Sequence, residues 1–392
     1  MSDKEYSYET KLAHLSRPPV RSHGFVNEGV FRGSTVLMPN SAAYAEYSAR
    51  PQAERMTTYG TSGGPTHFAL EDLVAEIEGG KHCIVVQTGL AAITLPLLTY
   101  LKAGQAVLIP DSVYGPTRRM CNTLLKNFGI ETVYYDPCLD AAGLEAIWPA
   151  NATVLFMESP GSHTFEMQDV GALAGVAHRH GAKVMLDNTW GVHHFQPFRH
   201  GVDISIQALT KYVAGHSDVL LGGVIVNDSA EFEVLRLAAT TLGYYASPDD
   251  CWLALRGART MAVRLAHQEK TALAVAEWLS KRPQVTQVRH PALPGAPGHE
   301  IWKRDFTGAC SLFGVVFKEG YSEAQIFAFV DSLKLFGIGA SWGGYECLAL
   351  PTAVTRTATN GSKAPAVRFH IGLENYDDII ADIEQAMVHL PV

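Results

Sequence analysis

From about residue 67 to residue 226, short apolar runs alternate with longer amphipathic stretches. HFALEDLVAEIEGG (67–80) sets Phe68, Leu70, Leu73, Val74 and Ile77 at helical spacing and closes on two glycines, which predicts a helix and its stop. HCIVVQ (82–87), AVLIP (106–110), ETVYYD (131–136), ATVLFME (152–158), KVMLDN (183–188), ISIQAL (204–209) and VLLGGVIV (219–226) follow as candidate strands. Helices are predicted near 90–101, 116–127 and 170–180. Strands that are apolar on both faces need cover on both faces. The pattern therefore predicts an α/β fold, a mostly parallel central sheet with helices on either side. Past residue 257 the rhythm changes: a long polar helix near 258–281 precedes VTQVRHP, SLFGVVFK and AVRFHIG, which predicts a smaller C-terminal α+β domain. Residues 1–60 are irregular, rich in Ser, Pro and Tyr, with no periodic face. The expected domains are an arm over 1–60, a large domain over 61–256 and a small domain over 257–392, with no internal repeat.

Composition narrows the function. The 392 residues are 47% hydrophobic and 18% charged, as in a globular chain large enough for two cores. The formal net charge of −8 and the lack of a Lys/Arg block argue against nucleic acid or an anionic membrane as partner. MSDKEYSYETKLAHL has no apolar core of a secretory signal, and no run reaches the roughly 18 apolar residues of a membrane span. The six cysteines are scattered without a CxxC pair, the usage expected of free thiols in a cytoplasmic protein, and no metal site is expected.

In such sheets ligands bind beyond the carboxyl ends of the strands. HCIVVQ is followed by Thr88-Gly89-Leu90, which suits a phosphate at a helix N-terminus. AVLIP is followed by Asp111-Ser112-Val113-Tyr114, KVML by Asp187-Asn188-Thr189-Trp190, and ISIQAL by Thr210-Lys211. A lysine amine forms a Schiff base with an aldehyde, an acid keeps a pyridine nitrogen protonated, and an aromatic stacks on the ring. Lysine, acid, aromatic and phosphate cradle together describe a site for pyridoxal 5′-phosphate. Each part also has a plainer reading: Thr88 and Asp187 as helix caps, Tyr114 and Trp342 as packing, Thr210 as strand sequence, Arg368 in a structural ion pair. His193-His194 are adjacent and poorly disposed to share one ion, and His216 reads as a turn histidine.

Over nearly its whole length the chain resembles the Cys/Met-metabolism family of fold-type-I pyridoxal-phosphate enzymes. The likeness is carried by YGTSGGPTHFALED, SVYGPTRR, ESPGS, MLDNTW, SIQALTKYVAGHSD, HPALPGAPGHEIWKRDFTG, SWGGYE and RFHIGLE. The last three are similar to the β-lyase branch, whereas γ-acting relatives carry an SLGG-type loop at Ser341-Trp342-Gly343-Gly344. The resemblance implies Lys211 as the Schiff-base lysine and proton carrier, Asp187 at the ring nitrogen and Tyr114 over the ring. It implies Thr88, Gly89, Leu90 and Thr210 at the phosphate, with Tyr59 reaching it from a neighbouring subunit. It also implies Arg368 on the substrate carboxylate and Ser341 and Trp342 lining the pocket. The implied reaction is β-elimination of L-cystathionine or related cysteine S-conjugates to homocysteine, pyruvate and ammonia. γ-Elimination or replacement, racemisation and a non-enzymatic binding role stay open. A cytoplasmic homotetramer, a dimer of dimers with exchanged arms, is the implied assembly. The chain departs from the family at Thr61, where an arginine commonly binds the phosphate. One charged hydrogen bond, worth roughly 1.5–3 kcal/mol, is thereby missing. Leu90 and Ala208 also stand where relatives have methionine and, in γ-acting enzymes, serine.

Overall fold

The computed structural model describes residues 6–18, 24–51, 54–361 and 364–392. The chain divides into two compact units, Met1–Tyr100 with Asp203–Ala262, and Leu101–Val202 with Val263–Val392. The strands are β1 (His82–Val86), β2 (Ala106–Pro110), β3 (Glu131–Tyr135), β4 (Ala152–Glu158), β5 (Lys183–Asp187), β6 (Ile204–Gln207), β7 (Gly222–Val226), β8 (Val285–Arg289), β9 (Leu312–Phe317), β10 (Leu348–Thr352) and β11 (Ala366–His370).

In the first unit the strand order is β1-β7-β6, with β7 antiparallel to both neighbours. β1 and β6 therefore run the same way, and both end against the glycines of β7: Val86 pairs with Gly222 and Gln207 with Gly223. The helix Pro65–Glu78 begins on proline and stops at Gly79, whose φ of 70° favours glycine. It buries Leu70, Leu73, Val74 and Ile77, the stripe expected from the sequence. Two acids on this helix lie inside, and each is paired, as burial requires. Glu71 accepts from Arg236 Nη2 at 2.7 and 2.8 Å and from Val85 N at 3.2 Å. Glu78 accepts from Ser205 Oγ at 2.6 Å and Gln207 Nε2 at 2.8 Å. The helix Gly89–Tyr100 is buried from Ala91 through Leu97.

In the second unit β5-β4-β2-β3 form a parallel run. Every residue of β2 is buried, the consequence of an apolar strand covered on both faces. β10-β11-β9-β8 form a separate antiparallel sheet. Its core gathers Phe313, Phe317, Phe329 and Phe369.

The sequence pattern and the structure differ in four places. The expected irregular arm contains two short helices, Tyr8–His14 and Ser41–Ala49, the second capped by Asn40, whose side chain accepts from Ala43 N at 2.8 Å. The strand expected from 219 starts at Gly222, because Leu221 is taken up by Thr210: Thr210 Oγ1 donates to Leu221 O at 3.1 Å and accepts from Leu221 N at 3.0 Å. The long polar helix expected near 258–281 is present as Met261–Ser280, but a further helix that the sequence pattern did not mark, Pro248–Ala258, precedes it. β10 was hidden by Pro351, which the outer strand of a sheet tolerates. Cys83, Cys121, Cys251, Cys310 and Cys347 are buried and Cys138 is exposed, all as free thiols. No helix among the described residues is long and apolar enough to cross a membrane.

Candidate active site

The topology of the first unit brings a phosphate-type turn and the lysine to one end of its strands. Because β1 and β6 are parallel to each other, Thr88 and Lys211 both follow strand ends that meet Gly222 and Gly223. Thr88 caps the helix Gly89–Tyr100: its Oγ1 accepts from Ala91 N at 3.0 Å and its carbonyl from Ala92 N at 3.1 Å. Of the first-turn amides this leaves those of Gly89 and Leu90 without a partner from the helix itself. Lys211 sits in a tight turn, its N–H on Ala208 O at 3.0 Å and its carbonyl accepting from Gly215 N at 2.8 Å. Thr210 is locked to Leu221 by the two hydrogen bonds above. His216 Nδ1 lies 2.7 Å from Ala214 O, the turn role read from the sequence. Tyr59 is 54% exposed and bridges Thr35. Thr61 lines a small cavity with His67, Arg236, Tyr244 and Tyr245.

The second unit gathers acids at the carboxyl ends of its parallel strands. Glu158 and Asp187 are register partners at the last positions of β4 and β5. Asp187 Oδ1 accepts from Thr189 N at 3.0 Å and Thr189 Oγ1 at 2.6 Å. Glu158 Oε2 accepts from Tyr114 N at 2.7 Å and so fixes the backbone that carries the Tyr114 ring. Burial, reinforced by the Asp187 carboxylate, pushes the Glu158 carboxyl up to about 8. Burial and the same two acids also raise the Tyr114 phenol. Asp111, past the end of β2, accepts from Thr357, Ala358 and Thr359 N at 2.8–2.9 Å and from Arg118 Nη2 at 2.6 Å, pinning the segment before β11. Arg368 on β11 is 6% exposed, and its Nη2 donates to the carbonyls of Gly339, Ala340 and Ser341 at 3.0–3.2 Å. Ser341 is exposed and Trp342 half-buried.

Glu158 did not stand out in the sequence as a site residue. The available signal was a carboxylate closing an otherwise uncharged apolar run, ATVLFME. Its donors come from Tyr114 and Ser162, which no local pattern predicts.

Pyridoxal phosphate asks for phosphate donors, a lysine amine and a carboxylate at the ring nitrogen. The residues fit. The first unit offers the Gly89 and Leu90 amides and Lys211 at one strand end. That end is kept close-packed by missing side chains: a Cβ on Gly222 would lie 2.3 Å from Thr88 O, and one on Gly89 2.7 Å from Ala208 Cβ. The second unit offers Asp187, held by Thr189 as an acceptor.

The family model for Cys/Met metabolism PLP-dependent enzymes matches residues 9–388. A putative cystathionine beta-lyase of Rhizobium johnstonii is 46% identical over 385 residues, 96% of this chain and 94% of that protein. An L-alanine/L-glutamate racemase of Wolbachia pipientis is 36% identical over 384 residues, 94% of each chain. The crystal structure of cystathionine gamma synthase from Xanthomonas oryzae pv. oryzae, in complex with aminoacrylate and cysteine, superposes with a TM-score of 0.89 at 28% identity, covering 98% of this chain and 99% of that one. The fold is therefore that of fold-type-I pyridoxal-phosphate enzymes, and the cofactor is pyridoxal phosphate. A lysine turn set beside a helix N-terminus, in a chain matched from residue 9 to residue 388, places this protein in the Cys/Met-metabolism family of pyridoxal-phosphate-dependent enzymes.

Proposed function

We propose that the protein is a carbon–sulfur lyase acting at the β carbon. It would cleave L-cystathionine and related cysteine S-conjugates, consuming one water and yielding homocysteine, pyruvate and ammonia. The observation that carries this reading is Lys211 at the end of β6, beside the turn that opens the helix at Gly89. The β-lyase names of relatives such as that of Rhizobium johnstonii support the β position.

Bound pyridoxal phosphate supplies the sink for negative charge at the amino-acid Cα. Lys211 Nζ tethers the cofactor, takes the Cα proton and gives a proton to the departing sulfur. Asp187 keeps the ring nitrogen protonated and Tyr114 covers the ring. The amides of Gly89 and Leu90, with Thr88 and Thr210, hold the phosphate, and Tyr59 serves the site of a neighbouring copy. Arg368 grips the α-carboxylate with its forked guanidinium, and Ser341 and Trp342 line the substrate pocket. The assembly that lends Tyr59 is a homotetramer.

The test is direct. Purified holoenzyme given L-cystathionine should release pyruvate and free thiol in equal amounts, and Lys211→Ala should lose both the turnover and the cofactor's visible absorbance band. α-Ketobutyrate in place of pyruvate would move the reading to the γ carbon. A second reading, racemisation, is favoured by the Wolbachia pipientis relative. It would appear as loss of optical rotation of L-alanine without any keto acid.

A further inference from the structure

In the turn after β4, Thr164 N donates to Ser162 O at 2.7 Å and closes a three-residue turn around His163. His163 has a φ of 61° and Phe165 one of 54°. Left-handed backbone at two such residues in one turn is strain that persists only where the surroundings impose it, and such strain gathers at binding sites. The surroundings here are specific. A Cβ on Gly314 would lie 3.1 Å from Phe165 Cε2 and 3.4 Å from His163 O, so the turn rests where β9 has no side chain. Gly314 is the cross-strand partner of Arg368. The turn is thus docked alongside Arg368. Burial, and the Arg368 charge after it, hold the His163 imidazole down at about 4, which makes it neutral near pH 7. His163 Nδ1 is buried with no partner among the described residues. An orphaned acceptor is more readily tolerated inside a protein than an orphaned N–H, so the proton belongs on Nε2. Arg368, meanwhile, commits Nη2 to three backbone carbonyls.

We propose that His163 is a substrate-binding residue whose Nε2–H joins the Arg368 guanidinium in gripping the α-carboxylate of the amino-acid substrate. The arginine supplies the charge. The imidazole supplies a directed hydrogen bond without setting a second cation against the first. The proposal rests on the reading of Arg368 as the carboxylate residue.

L-Alanine has the same carboxylate and no β leaving group, so its binding to the holoenzyme can be followed by the change in cofactor absorbance without elimination. L-Alaninamide serves as the probe that lacks the carboxylate. His163→Gly removes the donor and relieves the left-handed backbone, His163→Leu removes the donor while keeping bulk, and His163→Asn keeps a donor on a residue that tolerates this conformation. Loss of one hydrogen bond to a charged group predicts L-alanine affinity about tenfold weaker in whichever of the Gly or Leu variants folds, with recovery in Asn and little change for L-alaninamide. Unchanged L-alanine affinity in the Gly or Leu variant would overturn the proposal, as would equal losses for the two probes. If the wild type binds L-alanine yet makes no pyruvate from L-cystathionine, the lyase reading fails while the role of His163 is still decided by these affinities.

Discussion

Glu158 and Asp187 stand side by side at the ends of two parallel strands, and two carboxylates so placed resist ionising together. The folded-state value of Glu158, about 8, lies above the 4.5 of an ordinary glutamate. Its protonated form therefore adds stability that is complete below about pH 4.5 and is lost as pH rises through about 8. In cofactor-free protein, unfolding midpoints in urea should fall over that window. Glu158→Gln keeps an acceptor for Tyr114 N and should remove this part of the slope; a variant with the wild-type slope would refute the assignment. At this scale the sequence was partly legible. Lys211, Asp187 and Thr88 could be singled out as candidates because each follows an apolar run that ends abruptly. Glu158 and His163 could not be ranked, since what distinguishes them is a hydrogen bond from a residue 44 positions away in one case and a left-handed turn in the other.

Elements were legible where a period of two or 3.6, or a long apolar run, decided them, and illegible where one tertiary contact did. β2 and β4 were read to the residue. β7 was not, because Thr210 takes Leu221 out of the ladder, and β10 was lost to a proline that only its outer position makes tolerable. The helix Pro65–Glu78 is fixed to its strand partly by charge. Glu71, fully buried, joins Arg236 and the amide of Val85. Removing one partner of such a pair leaves the other charge unsatisfied, so Glu71→Ala should cost about 3–5 kcal/mol in chemical denaturation. A loss below about 1 kcal/mol, the range of surface pairs, would show that Arg236 finds another acceptor.

For the whole molecule, the alternation of strand and helix was enough to name an α/β fold, because a both-faces-covered parallel sheet leaves a distinctive apolar signature. Assembly left a weaker trace. Phe25, Val26, Phe31, Leu37, Tyr44 and Tyr59 are each more than half exposed in the protomer. A globular protein seldom leaves so many large apolar groups uncovered in one segment unless a partner covers them. On the proposed tetramer, sedimentation velocity of the wild type should give a single species of four chains. Phe25→Ser with Leu37→Ser should shift it toward smaller species and weaken cofactor retention, since Tyr59 belongs to the same segment. A stable tetramer in that double variant would remove the segment from the interface.

The placement of the cysteines has a practical consequence at the bench. Five are buried, and desolvation pushes the thiol of the exposed sixth, Cys138, up to about 11. Because only the thiolate attacks a disulfide reagent, the protein should be nearly silent toward a chromogenic thiol titrant at neutral pH. The thiol product of the proposed lyase reaction could then be followed continuously by colour in the same cuvette as the enzyme, with no blank drift from the catalyst itself.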